Sequence, residues 1–241
     1  MKVSKYNRIY ITGNLEINCH IDLSEEHTHY LTIVLRLRAG DRVRVFNEDS
    51  GEYLAKLYTF GKRDYKLEIL EKIREPEQLS ELIAAPAIIK NDKFMFSLEK
   101  SVELGATKIC PLMCARSQLR TLNIARLEKC ILEATEQSER LSVPQIDAAT
   151  MLANFLQDTE ADTIIICNEN EHESKSIKQL SIEILQGKIA VVVGPEGGFS
   201  DEELKLMENS SKVISVSLGQ TLLRSETAML VALSQIQLMR M

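Results

Sequence analysis

The sequence predicts an α/β fold: a small β-rich N-terminal domain, residues 1–73, followed by a larger α/β domain, residues 74–241. Three observations carry this. Short alternating strands crowd the first part of the chain. From residue 82 onward, continuous β-branched runs alternate with helical stretches. Two Gly-bearing segments near the C-terminus, Gly194-Pro195-Glu196-Gly197-Gly198-Phe199-Ser200 and residues 218–228, each stand where a strand gives way to a helix. Ligands of open α/β sheets bind outside the carboxyl ends of the strands, so these segments predict one pocket built from two neighbouring loops.

The elements follow in order. Arg42-Val43-Arg44-Val45-Phe46 alternates polar and apolar, as a half-buried strand does. Asn47-Glu48-Asp49-Ser50-Gly51 supplies turn chemistry, Glu52 to Tyr58 begins a second strand, and Lys66-Leu67-Glu68-Ile69-Leu70 reads as a third. Short strands joined by tight turns predict a small barrel. The polar, Pro-bearing stretch Arg74-Glu75-Pro76-Glu77-Gln78 marks a linker. Beyond it, Asn91 or Asp92 is expected to cap a helix ending at Gly105, a strand is expected over 108–112, and a long helix from about Asn123 to Leu141. Thr163-Ile164-Ile165-Ile166-Cys167 and Ile189-Ala190-Val191-Val192-Val193 are continuous apolar runs of the kind that suits parallel strands buried on both faces. Residues 213–218 supply the last strand and 222–240 the last helix.

Composition excludes several classes. With 241 residues, 44% hydrophobic and 27% charged, the chain can bury a core without disulfide staples. No apolar run approaches the roughly 18 residues of a spanning helix, so no membrane partner is expected. The opening Met1-Lys2-Val3-Ser4-Lys5-Tyr6 lacks an apolar signal region, so secretion is not expected. Five scattered Cys without a CxxC pair fit reduced thiols and a cytoplasmic location. Cys110 and Cys114 read as buried thiols. His27-x-His29 lies on one strand face in this reading, but nothing is spaced to complete a site, and no metal is expected.

The net charge of −6 is unevenly spread. Residues 1–72 hold 12 Lys and Arg against 11 Asp and Glu, and the remainder 17 against 24. Arg36, Arg38, Arg42 and Arg44 crowd together with Asp41 as the only acid among them. Such a stripe is either a solvated strand face or a phosphate-binding one, because screening makes the distant acidic half count for little.

Within the first loop, Pro195 fixes φ while Gly197 and Gly198 permit close backbone approach to a ligand. Ser200 and Glu203 make a capping box. Asp201 and Glu202 already answer the helix dipole, which disfavours a phosphate at this helix start. No Lys-Ser/Thr follows the glycines and GxGxxG is absent, so neither a Walker A loop nor a dinucleotide fingerprint fits. In the second loop, Arg224 at a helix start opposes the dipole, and Glu226 or an anionic ligand could offset it. That mismatch reads either as a functional site or as an Arg224–Glu226 surface pair.

Together these segments resemble the SPOUT methyltransferases, most closely the RsmE-type enzymes that methylate N3 of a uridine in 16S ribosomal RNA. The match comprises Gly194-Pro195-Glu196-Gly197-Gly198 with Leu218-Gly219-x-x-Leu222-Leu223-Arg224-x-Glu226-Thr227. Upstream, Arg8 stands in an Arg-x-aromatic opening. His29-Tyr30-Leu31 with Val34-Leu35-Arg36 resembles the family's HHL…VLR element, Lys100 to Gly105 its K-x-x-E-L-G helix end, and Glu136-Gln137-Ser138-x-Arg140 before Pro144 its E-Q-x-x-R…P stretch. The chain departs from the family at Thr221, where an Arg is usual, at Tyr30, and in having no Trp.

The resemblance implies a PUA-like N-terminal barrel and a trefoil-knotted C-terminal domain that acts as a homodimer. It implies S-adenosylmethionine as cofactor, held by Ile166, Gly194, Glu196, Gly197, Ser217, Leu218, Gly219 and Leu223. Arg224 and Glu226 are the implied catalytic pair, with Arg224 stabilising charge on the uracil, Glu226 orienting it, and Glu196 a conceivable base. Arg8, Arg36, Arg38, Arg44 and Arg140 are the implied RNA contacts, to 16S rRNA or the small ribosomal subunit. On the last helix, Ala228, Val231, Ala232, Ile236 and Met239 fit a dimer face or a core face equally. Two other readings stay open: a non-catalytic RNA-binding assembly factor, to which Thr221 points, and a SPOUT enzyme with a different nucleotide target.

Overall fold

The computed structural model describes residues 5–59, 64–117, 121–167 and 175–240. The chain divides into two compact units, one of residues 1–78 with 139–143 and the other of 79–138 with 144–241.

The first unit holds β1 (Arg8–Tyr10), β2 (His20–Asp22), α1 (Glu25–His29) running into a π-helical turn at Tyr30–Val34, β3 (Arg42–Asn47), β4 (Gly51–Thr59) and β5 (Tyr65–Arg74). They form a five-stranded sheet in the order β1-β3-β4-β5-β2, with only the β1–β3 pair parallel. Among the described residues the edge strands β1 and β2 do not pair with each other, so the expected barrel is not closed by a strand ladder there, and the sheet packs on a core of Ile9, Leu31, Val45, Leu57 and Ile69. The β3–β4 turn is set by Asn47, whose Nδ2 donates to the carbonyls of Ile11 and Gly13 and whose Oδ1 accepts from Ser50 N–H. His27 and His29 fall on α1, not on a strand, and residues two apart on a helix do not share a face.

In the second unit the chain runs through β6 (Leu82–Pro86), α2 (Asn91–Glu103), β7 (Lys108–Ile109), β8 (Leu112–Met113), α3 (Ile124–Gln137), β9 (Gln145–Ile146) and β10 (Thr150–Met151). It continues through α4 (Leu152–Asp158), β11 (Thr163–Cys167), β12 (Lys175–Ser176), α5 (Ile182–Gln186), β13 (Ile189–Val193), α6 (Asp201–Glu208), β14 (Val213–Ser217) and α7 (Ser225–Arg240). Seven strands make one wholly parallel sheet, β12-β14-β11-β13-β6-β7-β9, and β8 pairs with β10 apart from it. The β-branched runs of β11 and β13 sit at its centre, buried on both faces.

Four expectations are adjusted. The N-cap of α2 is Lys90, without a side-chain cap, rather than Asn91 or Asp92. The run 108–112 divides at Pro111, which lacks the N–H a continuous ladder needs, into β7 and β8 of different sheets. Helix α3 ends at Gln137 after a start capped by Asn123. Helix α7 begins at Ser225; its Ala228, Ala232 and Ile236 are buried within their own unit, while Val231 is half-buried and Met239 exposed.

Candidate active site

Register builds the site. Cys167 at the end of β11 lies opposite Val193 of β13 and Val216 of β14, so the segments leaving β13 and β14 rise from the sheet at one level. Above these strand ends lie two adjoining cavities of about 310 and 350 Å³, which share Cys167, Leu222, Leu223 and Ala228 in their walls. Ser217, Leu218, Gly219 and Thr221 also line the first. Gly194, Glu196, Gly198 and Arg224 also line the second, where Glu196 and Arg224 are the charged wall residues among the described residues. Six of the eight residues expected around a cofactor therefore converge here: Gly194, Glu196, Ser217, Leu218, Gly219 and Leu223. Ile166 does not. It is buried one position before the strand end, and the two-residue period of a strand turns it away while Cys167 faces the cavities. Gly197 is not a wall residue either; its carbonyl accepts from Arg116 Nη1 at 2.8 Å.

The loop conformations have local causes. A Cβ on Gly194 would stand 2.9 Å from the Phe199 ring, so the loop closes on itself only around glycine. Gly198 takes φ +69° and donates its N–H to Pro195 O at 2.8 Å, a turn that returns the chain to α6. There the capping box forms as the sequence predicts: Ser200 Oγ accepts from Glu203 N–H, and Glu203 Oε2 accepts from Ser200 N–H at 2.8 Å. Glu203 also has a partner that sequence reasoning missed, because its other oxygen accepts from Ala115 N–H at 2.8 Å, 88 positions away. In the second loop Gly219 sits at φ +144°, a conformation that side chains rarely adopt, and a Cβ there would meet nothing within 4 Å. Ser225 Oγ donates to Gly194 O at 2.7 Å and ties the two loops together.

Arg224 lies on the exposed rim, and its guanidinium makes no hydrogen bond or ion pair among the described residues. The expected partnership with Glu226 is not formed. Glu226 is 5% exposed and pairs with Lys93 of α2 at 3.2 Å, because the first turn of α7 directs it into the α2–α7 packing.

The basic stripe separates into two sets. Arg8 and Arg44, expected at RNA, are 6% and 7% exposed. Arg8 Nε donates to Glu52 at 2.6 Å, and its guanidinium lies over the Phe46 ring. Arg44 pairs with Glu139 at 2.7 Å and stands 3.5 Å from Glu52. These arginines are corrected to structural ones, since a phosphate contact would break buried ion pairs. Burial holds the Arg8 guanidinium below its usual range, and Arg44 holds the Glu139 carboxyl below its own. Arg140 is half-buried, its guanidinium pulled down to about 10 by burial. Arg36 and Arg38 are exposed, as is Arg42. Among the described residues no group of three His, Cys, Asp or Glu is arranged to hold a metal ion, and no helix is long and apolar enough to cross a membrane.

Residues 75–237 match the family model of an RNA methyltransferase domain, and residues 23–70 that of an RNA methyltransferase PUA domain. The chain is 42% identical to a ribosomal RNA small subunit methyltransferase E of Rickettsia conorii, over 98% of this chain and 96% of the relative. The chain belongs to the ribosomal RNA small subunit methyltransferase E family. Within that family it is also 29% identical to the protein of Buchnera aphidicola from Acyrthosiphon pisum, over 99% and 96% of the two chains. Among solved structures it resembles the family member of Neisseria gonorrhoeae bound to S-adenosylmethionine, with 27% identity and a TM-score of 0.86 over 97% of both chains. A methyltransferase of Legionella pneumophila solved with the same cofactor matches at 28% identity, also with a TM-score of 0.86 over 97% of both chains. The family assignment and the α/β fold carrying a PUA domain agree with what the motifs imply.

Proposed function

We propose that this chain transfers a methyl group from S-adenosylmethionine to N3 of a uridine in the 16S ribosomal RNA of the small subunit. Residues 1–73 serve as the PUA-like RNA-binding domain and 74–241 as a SPOUT domain that acts as a homodimer. The observation that carries this reading is the pair of adjoining cavities at the joined ends of β11, β13 and β14, walled by Gly-bearing backbone. A trefoil knot is supported by the course of the chain: β14 lies beside β11, α7 packs against β13 and β6, and Ser225 is bonded to the Gly194 loop that the chain must pass.

The site fits the cofactor on its own features. The two volumes suit a ligand of this size, Gly219 leaves open space where a side chain would stand, and the walls offer backbone groups and Leu222–Leu223 rather than a cage of carboxylates. When bound, S-adenosylmethionine supplies an electrophilic methyl carbon. The protein's task is to make the imide nitrogen a nucleophile, since N3 carries a proton. Glu196, on the second cavity wall, accepts that proton. Arg224, with uncommitted donors on the same wall, stabilises the negative charge that then spreads over the uracil carbonyl oxygens. Removing one such donor costs about 10²–10³-fold in rate. Glu226, held by Lys93, anchors α7 against α2 instead of orienting Arg224.

Calorimetry with S-adenosylmethionine and mass spectrometry of 16S rRNA incubated with the protein test the reading. Binding, with gain of one methyluridine, is expected. Absence of binding would favour the non-catalytic assembly factor, and methylation of another nucleotide would replace the target. Arg224→Ala should retain cofactor binding and lose methylation.

A further inference from the structure

The segment after β8 touches the Gly-bearing loop and the helix that follows it twice. Ala115 N–H is held by Glu203, a residue 8% exposed whose carboxylate also holds Ser200 N–H. The next residue, Arg116, spends one N–H on Gly197 O at 2.8 Å, and the path of its side chain is fixed because a Cβ on Gly197 would stand 3.2 Å from Arg116 Cβ. The guanidinium is otherwise exposed and makes no further bond among the described residues. A guanidinium has five N–H donors; one bond fixes its position and leaves the others to an outside partner.

Arg116 belongs to a cationic rim that can be traced through contacts. From Arg116 the chain of contacts runs to Gly197, along the loop to Gly194, across to Ser225, and so to Arg224 and the Glu226–Lys93 pair. Lys93 is neutralised by Glu226, while Arg116 and Arg224 are not neutralised. The acids Asp201 and Glu202 answer the dipole of α6, so an anion approaching this loop meets side-chain cations rather than helix N–H groups. We propose that Arg116 is a substrate-binding residue that receives a phosphodiester of the RNA strand beside the target nucleotide. Its planar fork suits phosphate, and phosphate contacts are those that fix register on a nucleic acid. This inference rests on the RNA-methyltransferase reading above.

Arg116→Ala and Arg116→Lys test it. With a 16S rRNA transcript, Arg116→Ala is expected to weaken binding by about 5–10-fold at moderate salt and to lower the slope of log affinity against log salt by about one. Arg116→Lys should restore the slope while recovering only part of the affinity, since a point charge lacks the fork. Affinity for S-adenosylmethionine without RNA should change less than about threefold in either variant. An unchanged salt slope in Arg116→Ala overturns the proposal, as does a loss of cofactor affinity with RNA binding intact, which would make the residue a loop brace only. Methylation by the wild type in the same preparation separates the two readings. An inactive wild type counts against the activity, and an active wild type with an indifferent Arg116→Ala counts against Arg116 alone.

Discussion

Removing the Glu203 carboxylate should release two of the bonds that hold the Gly-bearing loop in place. Glu203 is 8% exposed and accepts two backbone N–H groups, Ser200 and Ala115, each at 2.8 Å. A buried donor left without its partner costs about 1–3 kcal/mol. Both N–H groups here are only partly buried, so water can replace part of each bond. The low end of that range applies, about 1–1.5 kcal/mol for each donor, and Glu203→Ala should cost the second unit about 2–3 kcal/mol in total. For a domain of this size that is a fall in melting temperature of about 4–12 °C. Glu203→Gln keeps one acceptor oxygen and turns an NH2 toward the other N–H, so it should lose about half as much. Thermal unfolding gives the total, and hydrogen exchange locates it, because the amides of Ala115 and Ser200 should lose protection together. Wild-type exchange at both amides and an unchanged melting temperature in Glu203→Ala would refute the reasoning.

Gly194→Ala places a methyl 2.9 Å from the Phe199 ring; the strain of overpacking, about 1–3 kcal/mol, should appear as roughly tenfold or greater loss of cofactor affinity by calorimetry. Glu52→Ala leaves Arg8 and Arg74, bonded to it at 2.6 and 2.7 Å, without their carboxylate, so urea unfolding of the first unit should show a loss of about 3–5 kcal/mol. Arg36→Ala, Arg38→Ala and Arg42→Ala, at exposed positions, should each lower the salt slope of RNA binding by about one, with unchanged slopes returning them to a solvated face. Burial, with Asp147 second, pushes the Cys110 thiol up to about 12, and burial, with Glu203 second, does the same for Cys114. Both should resist alkylation at pH 8 while exposed Cys19 reacts, as mass spectrometry would read. Because the folded chain keeps those protons and the unfolded chain sheds them from about pH 9, stability should fall as pH rises toward 12, and Cys110→Ala should lessen that fall.

Local rules were legible in the sequence wherever partners lie within a few positions. The β-branched runs gave β11 and β13, and Ser200 with Glu203 gave the cap of α6. Partners far apart in sequence were not legible. Alternation in β3 says which way Arg44 points but not whether that side is covered, and the covering comes from Glu52 of β4 and from Glu139, 95 positions on. A signal did exist: Glu52 stands in an apolar strand, where an unpaired carboxylate would be costly. Ile166 and Cys167 are neighbours in β11, and in a strand a step of one residue exchanges one face for the other. Arg116 followed no loop motif and became visible only through its bond to Gly197.

Which arginines hold the fold and which serve the site follows from whether the local rule at each is satisfied. Arg8 and Arg44 break the rule against buried charge, and Glu52 and Glu139 answer it fully. Arg224 breaks the dipole rule at the start of α7, where Ala228 N–H bonds its carbonyl as the first turn closes. The nearby carboxylate that could answer it, Glu226, is taken by Lys93. A cation at a helix N-terminus is disfavoured by about 0.3–1 kcal/mol, and nothing among the described residues returns that energy. An anionic group entering the second cavity would. The mismatch therefore favours ligand charge that develops beside Arg224 over charge already present elsewhere, which is what a site acting on a neutral imide requires of its cation.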